Sequence, residues 1–435
     1  MTTTTSSSTT SRTLKYNDGA TQFRLRLILS IISSRPLLIR NIRSDDLSHP
    51  GLHEHEASFL RLLDSMTNGT TIEINATGTQ LRFKPGVLLG GEIEHICPLG
   101  RSVGWYLEGI FPLAAFGKEP LQLTLHGITD GTADVDPSPD YLAASFIPFM
   151  IKLGIGVDDD QPPPVVKVTN RGAAPLGGGT VDFYCPIVKK ELSPIELINF
   201  GKVKRIRGNA ISCRIPPSSS QRVAHSAKGV MHRLLPDVWI HTDVHSGSGK
   251  RKGSGSSGGG CGPSPGLSVI LTATTTEGIC LSAECSMNHN TSVAATTTLS
   301  TINSTYNEYE PIERKKMELP EELGKRSSTL LLHEIYAGGC VDTSCQSFAL
   351  LMMCLTPEDV SRIRCGPLSQ YTISSLRLYK EALGVEFKLR VEEDNGREDD
   401  DESESDEDDE RRNGQKTIIC SCLGIGYRNM ARAAT

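Results

Sequence analysis

Apolar and polar positions alternate between two periods along this chain. Residues 22–32 form an apolar, helix-like run, and residues 36–42, rich in Leu and Ile, read as a strand. Pro50-Gly51 opens a helical stretch in which Leu52, Phe59, Leu60, Leu63 and Met66 recur at the three-to-four spacing of one buried face. Two alternating strands follow. Ile72 and Ile74 share a face of the first, Leu81 and Phe83 a face of the second, and Ala76-Thr77-Gly78 turns between them. This order of helix, strand, helix, strand, strand recurs. The second copy takes helices at 103–116 and 139–153, a strand at 121–126 and paired strands at 164–169 and 180–185. The third takes helices at 343–355 and 371–383 and strands at 361–365, 385–391 and 416–422.

A unit of this kind buries one sheet face under two helices. The expected fold class is therefore α/β (α+β), with three repeated helix-strand-helix-strand-strand units forming a pseudo-threefold body and a smaller inserted α/β domain. The insertion is read at residues 191–284. It has a basic strand carrying Lys202, Lys204, Arg205 and Arg207, a helix near 219–235, and strands at 239–244 and 267–274. The expected division is a disordered Thr/Ser-rich tract at 1–13, units at 14–100 and 101–190, the insertion, a low-complexity connection at 285–330, and a third unit at 331–435. An acidic, disordered loop at 392–413 interrupts that third unit, and residues 247–262 form a Gly/Ser loop.

Composition sharpens this picture. No apolar run approaches the roughly 18 residues of a membrane span; the longest, 348–355, suits a buried helix. The first residues lack the apolar stretch of a secretory leader. Twelve cysteines scattered through apolar elements read as reduced intracellular thiols. The formal charge of −6 conceals an asymmetry, because residues 392–410 hold fourteen acids and one base, Arg397. Setting that segment's −13 aside leaves the rest of the chain at +7, a basic body suited to a polyanion.

Several local motifs, in order, resemble the RNA 3′-terminal phosphate cyclase family. Ile42-Arg43 followed by Pro50-Gly51-Leu52 is similar to its first strand-to-helix connection. Lys84-Pro85-Gly86 with Gly90-Gly91, and Arg171-Gly172…Pro175…Gly177-Gly178-Gly179, resemble its glycine signatures. The likeness covers about residues 14–389 plus the final strand. It implies chemistry in which a histidine attacks the α-phosphate of ATP and passes the adenylate to an RNA 3′-phosphate. That histidine opens a His-x-x-x-Gln stretch. Here the stretch reads Asp342-Thr343-Ser344-Cys345-Gln346, so Asp342 stands at the nucleophile position. The family's Gly-Gly-Gly-Gln start becomes Asp18-Gly19-Ala20-Thr21-Gln22, the second arginine of its Arg-x-x-Arg falls near Asp46, and the histidine after Pro-Gly-Leu falls near Glu56. Acids in place of phosphate-facing cations oppose a bound triphosphate by roughly 1–4 kcal/mol per buried pair.

These departures match the cyclase-like branch. Its resemblance implies a non-catalytic assembly factor of the small ribosomal subunit, nuclear and nucleolar. Such a factor joins the small-subunit processome through a ribosome-assembly GTPase and takes part in early pre-rRNA processing. The alternative is a pre-rRNA endonuclease, and a working cyclase ranks third. No cofactor, no metal and no membrane contact are expected. Lys202, Lys204, Arg205 and Arg207 are candidates for tracking RNA phosphates or an acidic partner, although a stretch with no interleaved aromatic reads more plainly as a solvated strand. Arg377 and Lys380, three apart on one helix face, are RNA candidates of the same kind. His53 and His55 diverge on their helix, and His241 and His245 stand too far apart for a tight metal site. Lys250-Arg251-Lys252 is a candidate import signal, and Ser403 and Ser405 sit in an acid-directed kinase context.

Overall fold

The helical and strand periods fold largely where the sequence puts them. The computed structural model describes residues 13–131, 135–157, 161–189, 191–247, 260–287, 319–393 and 416–429. The N-terminal tract, Lys250-Arg251-Lys252, residues 288–318 and the acidic run with Ser403 and Ser405 lie outside the described residues.

The first sheet combines β1 (Leu14–Tyr16), β2 (Leu37–Ile39), β4 (Thr71–Ile74) and β5 (Leu81–Lys84), with α1 (Phe23–Ser33) and α2 (Glu54–Met66) between its strands. Two short strands, β3 (Thr67–Asn68) and β6 (Val87–Leu88), pair beside it. The second sheet takes β7 (Gly91–Ile96), β8 (Leu121–Gly127), β9 (Val165–Asn170) and β10 (Gly179–Cys185), with α3 (Val103–Ala114) and α4 (Pro139–Lys152). The third takes β11 (Glu196–Leu197), β16 (Val360–Cys365), β17 (Lys388–Glu393) and β18 (Lys416–Leu423), with α7 (Gln346–Cys354) and α8 (Gln370–Leu383). All three sheets share one pairing scheme. Their orders are β1-β2-β5-β4, β7-β8-β10-β9 and β11-β16-β18-β17, the first pair parallel and the rest antiparallel.

Each sheet therefore begins one strand earlier than the sequence reading placed it. Strand β7 lies inside the stretch read as the first unit but completes the second sheet beside β8. Likewise β11, read as part of the insertion, pairs with β16 in the third. These edge strands are short or carry charge at alternate positions (Gly-Glu-Ile-Glu-His-Ile in β7), which masks them from a hydrophobic scan.

Local chemistry sets the helix starts. Ser102, Ser138 and Ser369 accept hydrogen bonds from the backbone N–H of Gly104, Tyr141 and Thr372 at 3.3, 3.1 and 3.1 Å, capping α3, α4 and α8. The central helices meet across unit boundaries. α1 touches α3 and α8, and α3 touches α4 and α7. Their shared core holds Phe146 stacked on Phe348 with ring centroids 4.4 Å apart.

The inserted sheet runs β13 (Val238–His245), β12 (Val203–Cys213), β14 (Gly266–Thr275) and β15 (Cys280–Ser286), with α5 (Pro217–Met231) and α6 (Pro320–Tyr336) against one face. Helix α6 corrects the expected connection at 285–330, whose last part is helical, and β15 runs past the expected boundary at 284. Among the described residues no helix is long and apolar enough to cross a membrane. None of the twelve cysteines forms a disulfide, and eleven of them are buried.

Candidate functional site

Asp342 lies just before α7, where units two and three meet the inserted domain. Its side chain is 1% exposed. Oδ1 accepts from the Tyr141 hydroxyl and from Cys345 N at 3.0 Å; Oδ2 accepts from Ser145 Oγ at 2.7 Å and Ser282 N at 3.2 Å. A carboxylate has about four lone-pair sites, and all four are engaged. Tyr141 and Ser145, four apart, project from one face of α4, and Ser282 lies on β15. Burial pushes the Asp342 carboxyl above its ordinary range, outweighing the four donors that oppose it. Burial and then the Asp342 charge raise Glu334, which accepts from Thr343 N at 2.9 Å. This carboxylate is a structural knot, with no free lone pair to offer a substrate.

Beside the knot opens a cleft of about 560 Å3 lined by Arg24, Glu108, Asp136, Glu284, Glu334 and further uncharged residues. Among the described residues its one lining cation, Arg24, is bound to Glu108 at 2.7 Å and to the Trp105 carbonyl, and lies over the Trp105 ring. Burial lifts Glu284 to about 8, so this side chain is largely protonated at neutral pH while it accepts from Ser138 N at 2.8 Å. Asp130 nearby rises to about 6 for the same reason. Among the described residues the cleft thus presents no unengaged cation of the kind a triphosphate requires.

The other departures are also absorbed into structure. Arg43 makes paired bonds of 2.8 and 2.7 Å to Glu56. Asp46 accepts from the backbone N–H of Ser48 and His49 at 2.9 and 3.0 Å, shaping its own turn. Asp18 holds Arg26 at 2.6 Å. Gln22 reaches α8, donating to the Tyr371 carbonyl and Ser375 Oγ, each at 3.1 Å. Gln346 is buried and braces the start of α8 through the Pro367 carbonyl and Thr372 Oγ1, each at 3.1 Å.

The Arg171-to-Gly179 signature docks the inserted domain. Arg171 forks onto Asp140 of α4 and lies 3.5 Å from Asp243 of β13. Its backbone pairs with the loop at 260–262, through Gly260 O at 3.1 Å and Gly262 N at 2.7 Å. The approach is so close that a Cβ on Gly262 would meet Gly177 O at 1.8 Å.

Lys202, Lys204 and Arg205 are exposed at the start of β12, while Arg207 is forked onto Asp237 at 2.8 and 3.1 Å. Arg377 and Lys380 are exposed on α8, and Lys380 pairs with Glu386 at 2.8 Å. The structure does not bring these two groups of cations into one site. His55 packs edge-on to Trp105 and burial lowers it to about 4, while His245 pairs with Asp243 at 2.9 Å. Among the described residues no group of three or more His, Cys, Asp or Glu side chains is arranged to hold a metal ion. Sequence reading missed Tyr141, Ser145 and Ser282, whose only signal was the i, i+4 spacing of the first two.

Comparison with known proteins agrees with this layout. A Dictyostelium discoideum protein named probable RNA 3′-terminal phosphate cyclase-like protein is 40% identical over 423 residues, 97% of this chain and 99% of its own. The human RNA 3′-terminal phosphate cyclase-like protein is 40% identical over 416 residues, covering 95% and 96%. A Schizosaccharomyces pombe protein named rRNA processing protein rcl1 is 34% identical over 422 residues, covering 96% and 98%. The sequence profile of RNA 3′-terminal phosphate cyclase matches residues 16–389, and the chain belongs to that family.

Proposed function

We propose that this chain is a non-catalytic, cyclase-like assembly factor of the small ribosomal subunit. It acts in early pre-rRNA processing in the nucleolus by contacting pre-rRNA and a ribosome-assembly GTPase of the small-subunit processome. The observation that carries the reading is Asp342, buried at the nucleophile position with both oxygens doubly hydrogen-bonded. A group held in this way neither attacks a phosphate nor accepts an adenylyl group. The fission-yeast relative named for rRNA processing supports the assignment to that process. Incubation of the purified chain with α-radiolabelled ATP and magnesium, beside an active cyclase as control, is the test. No acid-stable or base-stable label is expected on this chain; a covalent nucleotide on any residue overturns the reading.

A further inference from the structure

The inserted sheet has one face covered by α5 and α6 and another that is partly open. In the parallel pair β12 and β13, Arg207 stands opposite Trp239 and Asn209 opposite His241. Alternate strand residues share a face. Arg205, Arg207, Asn209, Trp239 and His241 therefore stand together, opposite the face that carries Ile206, Val238 and Ile240. Antiparallel β14 adds Thr272 and Thr274, the partners of Arg207 and Arg205. The lower part of this face is closed by Arg171 against Asp243 and by α4 against β15. In the upper part Arg205, Asn209, Trp239 and His241 are exposed.

Of the two tryptophans in the chain, Trp105 is 6% exposed and Trp239 is 56% exposed. An exposed indole leaves a large apolar area in water, and the Lys228 ammonium of α5, 5.6 Å from the ring centroid, covers only part of it. The Trp239 ring is nonetheless held in place. Its Nε1 donates to His241 Nδ1 at 3.3 Å, with ring centroids 5.6 Å apart and planes tilted by 58°. Arg207 beside it is fixed by its fork onto Asp237. Arg205 shares the face of these rings, Lys202 and Lys204 are exposed just before it where the register of β12 shifts, and among the described residues no ion pair engages the three. The cations lacked interleaved aromatics in the sequence; strand pairing supplies them from a segment about thirty residues away.

We propose that this open face binds single-stranded RNA, with bases stacked on Trp239 and His241 and phosphates held by Lys202, Lys204 and Arg205. Every base has a π-face, so two adjoining rings form a platform tolerant of sequence, and flanking cations track the backbone. An apolar helix would meet Asn209, Thr272 and Thr274 instead of aliphatic surface. An acidic peptide would use the cations and leave the rings idle. The choice of RNA over DNA rests on the role proposed above.

The test is a fluorescence-anisotropy titration of the full chain with a labelled twelve-nucleotide oligouridylate, with oligodeoxythymidylate and polyglutamate as competitors. Trp239→Ala is expected to weaken RNA binding about tenfold and Trp239→Phe to retain most of it. Lys204→Ala and Arg205→Ala are each expected to flatten the logarithmic salt dependence by about 0.7. Unchanged Trp105 emission and unfolding midpoint establish that each variant is folded. Binding indifferent to Trp239→Ala overturns the proposal, as does tighter binding of oligodeoxythymidylate or polyglutamate than of RNA. None of these residues touches Asp342, so such a result leaves the adenylylation test standing, and a nucleotide-labelled chain leaves this one standing.

Discussion

Arg43 holds both carboxylate oxygens of Glu56, at 2.8 and 2.7 Å, and the same guanidinium reaches the Gly51 carbonyl at 2.9 Å. Glu56 Oε2 also accepts from His53 N at 2.9 Å, closing the first turn of α2. The Arg43 guanidinium is thus consumed by internal partners. The Glu56 side chain is only 5% exposed, and removing it strands a largely buried cation.

Glu56→Ala is accordingly expected to lower unfolding stability by about 3 kcal/mol. The Arg43→Ala/Glu56→Ala double variant should lose less than the two single losses together, because each single change leaves an unpaired charge. Urea unfolding of the four proteins gives the coupling. Additive losses would mean that the fork contributes nothing beyond its separate members.

Restoring the family's imidazole should fail to restore its chemistry. In Asp342→His a ring replaces a carboxylate that receives Tyr141, Ser145, Ser282 and Cys345 in a site with 1% exposure. It strands donors and overfills the space, at a cost of about 3 kcal/mol. Arg43 stays occupied by Glu56 and Arg24 by Glu108, so no triphosphate site forms. The expected outcome is a less stable protein that takes no label from ATP; labelling of this variant would show that the pocket had kept its nucleotide site.

The sequence was most legible where period and capping agreed. Helix α4 runs Pro139–Lys152 against an expected 139–153, and α8 runs Gln370–Leu383 against 371–383. Helix α6 was hidden because Gly324, Ser327 and Ser328 are weak helix formers chosen for contact. A Cβ on Gly324 would lie 2.5 Å from Val223 O, and Ser328 Oγ reaches the Ala227 carbonyl at 3.4 Å, so α5 and α6 approach too closely for larger residues. At the site, the loss of the histidine was readable at Asp342, but the reason Asp is tolerated was not. Its partners come from α4 and β15, 197 and 60 residues away along the chain, and no local period encodes them.

The glycine signature gives a third test. Gly262→Ala would push a methyl group into Gly177 O, a backbone atom that cannot rotate away. The inserted domain should loosen from the second unit, with a stability loss of about 2–3 kcal/mol and faster cleavage by a trace protease near residues 260–264. Proteolysis unchanged from the parent would place the docking energy elsewhere, in the Arg171 fork onto Asp140 and Asp243.

Acidity at the seam should make stability fall as pH rises. Glu284 stands at about 8 and Asp130 at about 6, against ordinary values of 4.5 and 3.8. Between its ordinary and raised values each group binds more protons folded than unfolded, so ∂ΔG/∂pH of unfolding is negative there. Their favourable contribution is full below about pH 4, is lost first by Asp130 up to about pH 6, and is lost by Glu284 up to about pH 8. Glu284→Gln keeps an acceptor for Ser138 N and removes the charge. At pH 8 this variant should be more stable than the parent by about 2 kcal/mol, less than complete burial would give because the side chain keeps part of its surface in water. At pH 5 the two should converge. Thermal unfolding across pH 5–8 measures the difference, and parallel curves for parent and variant would mean that Glu284 titrates as an ordinary surface carboxylate.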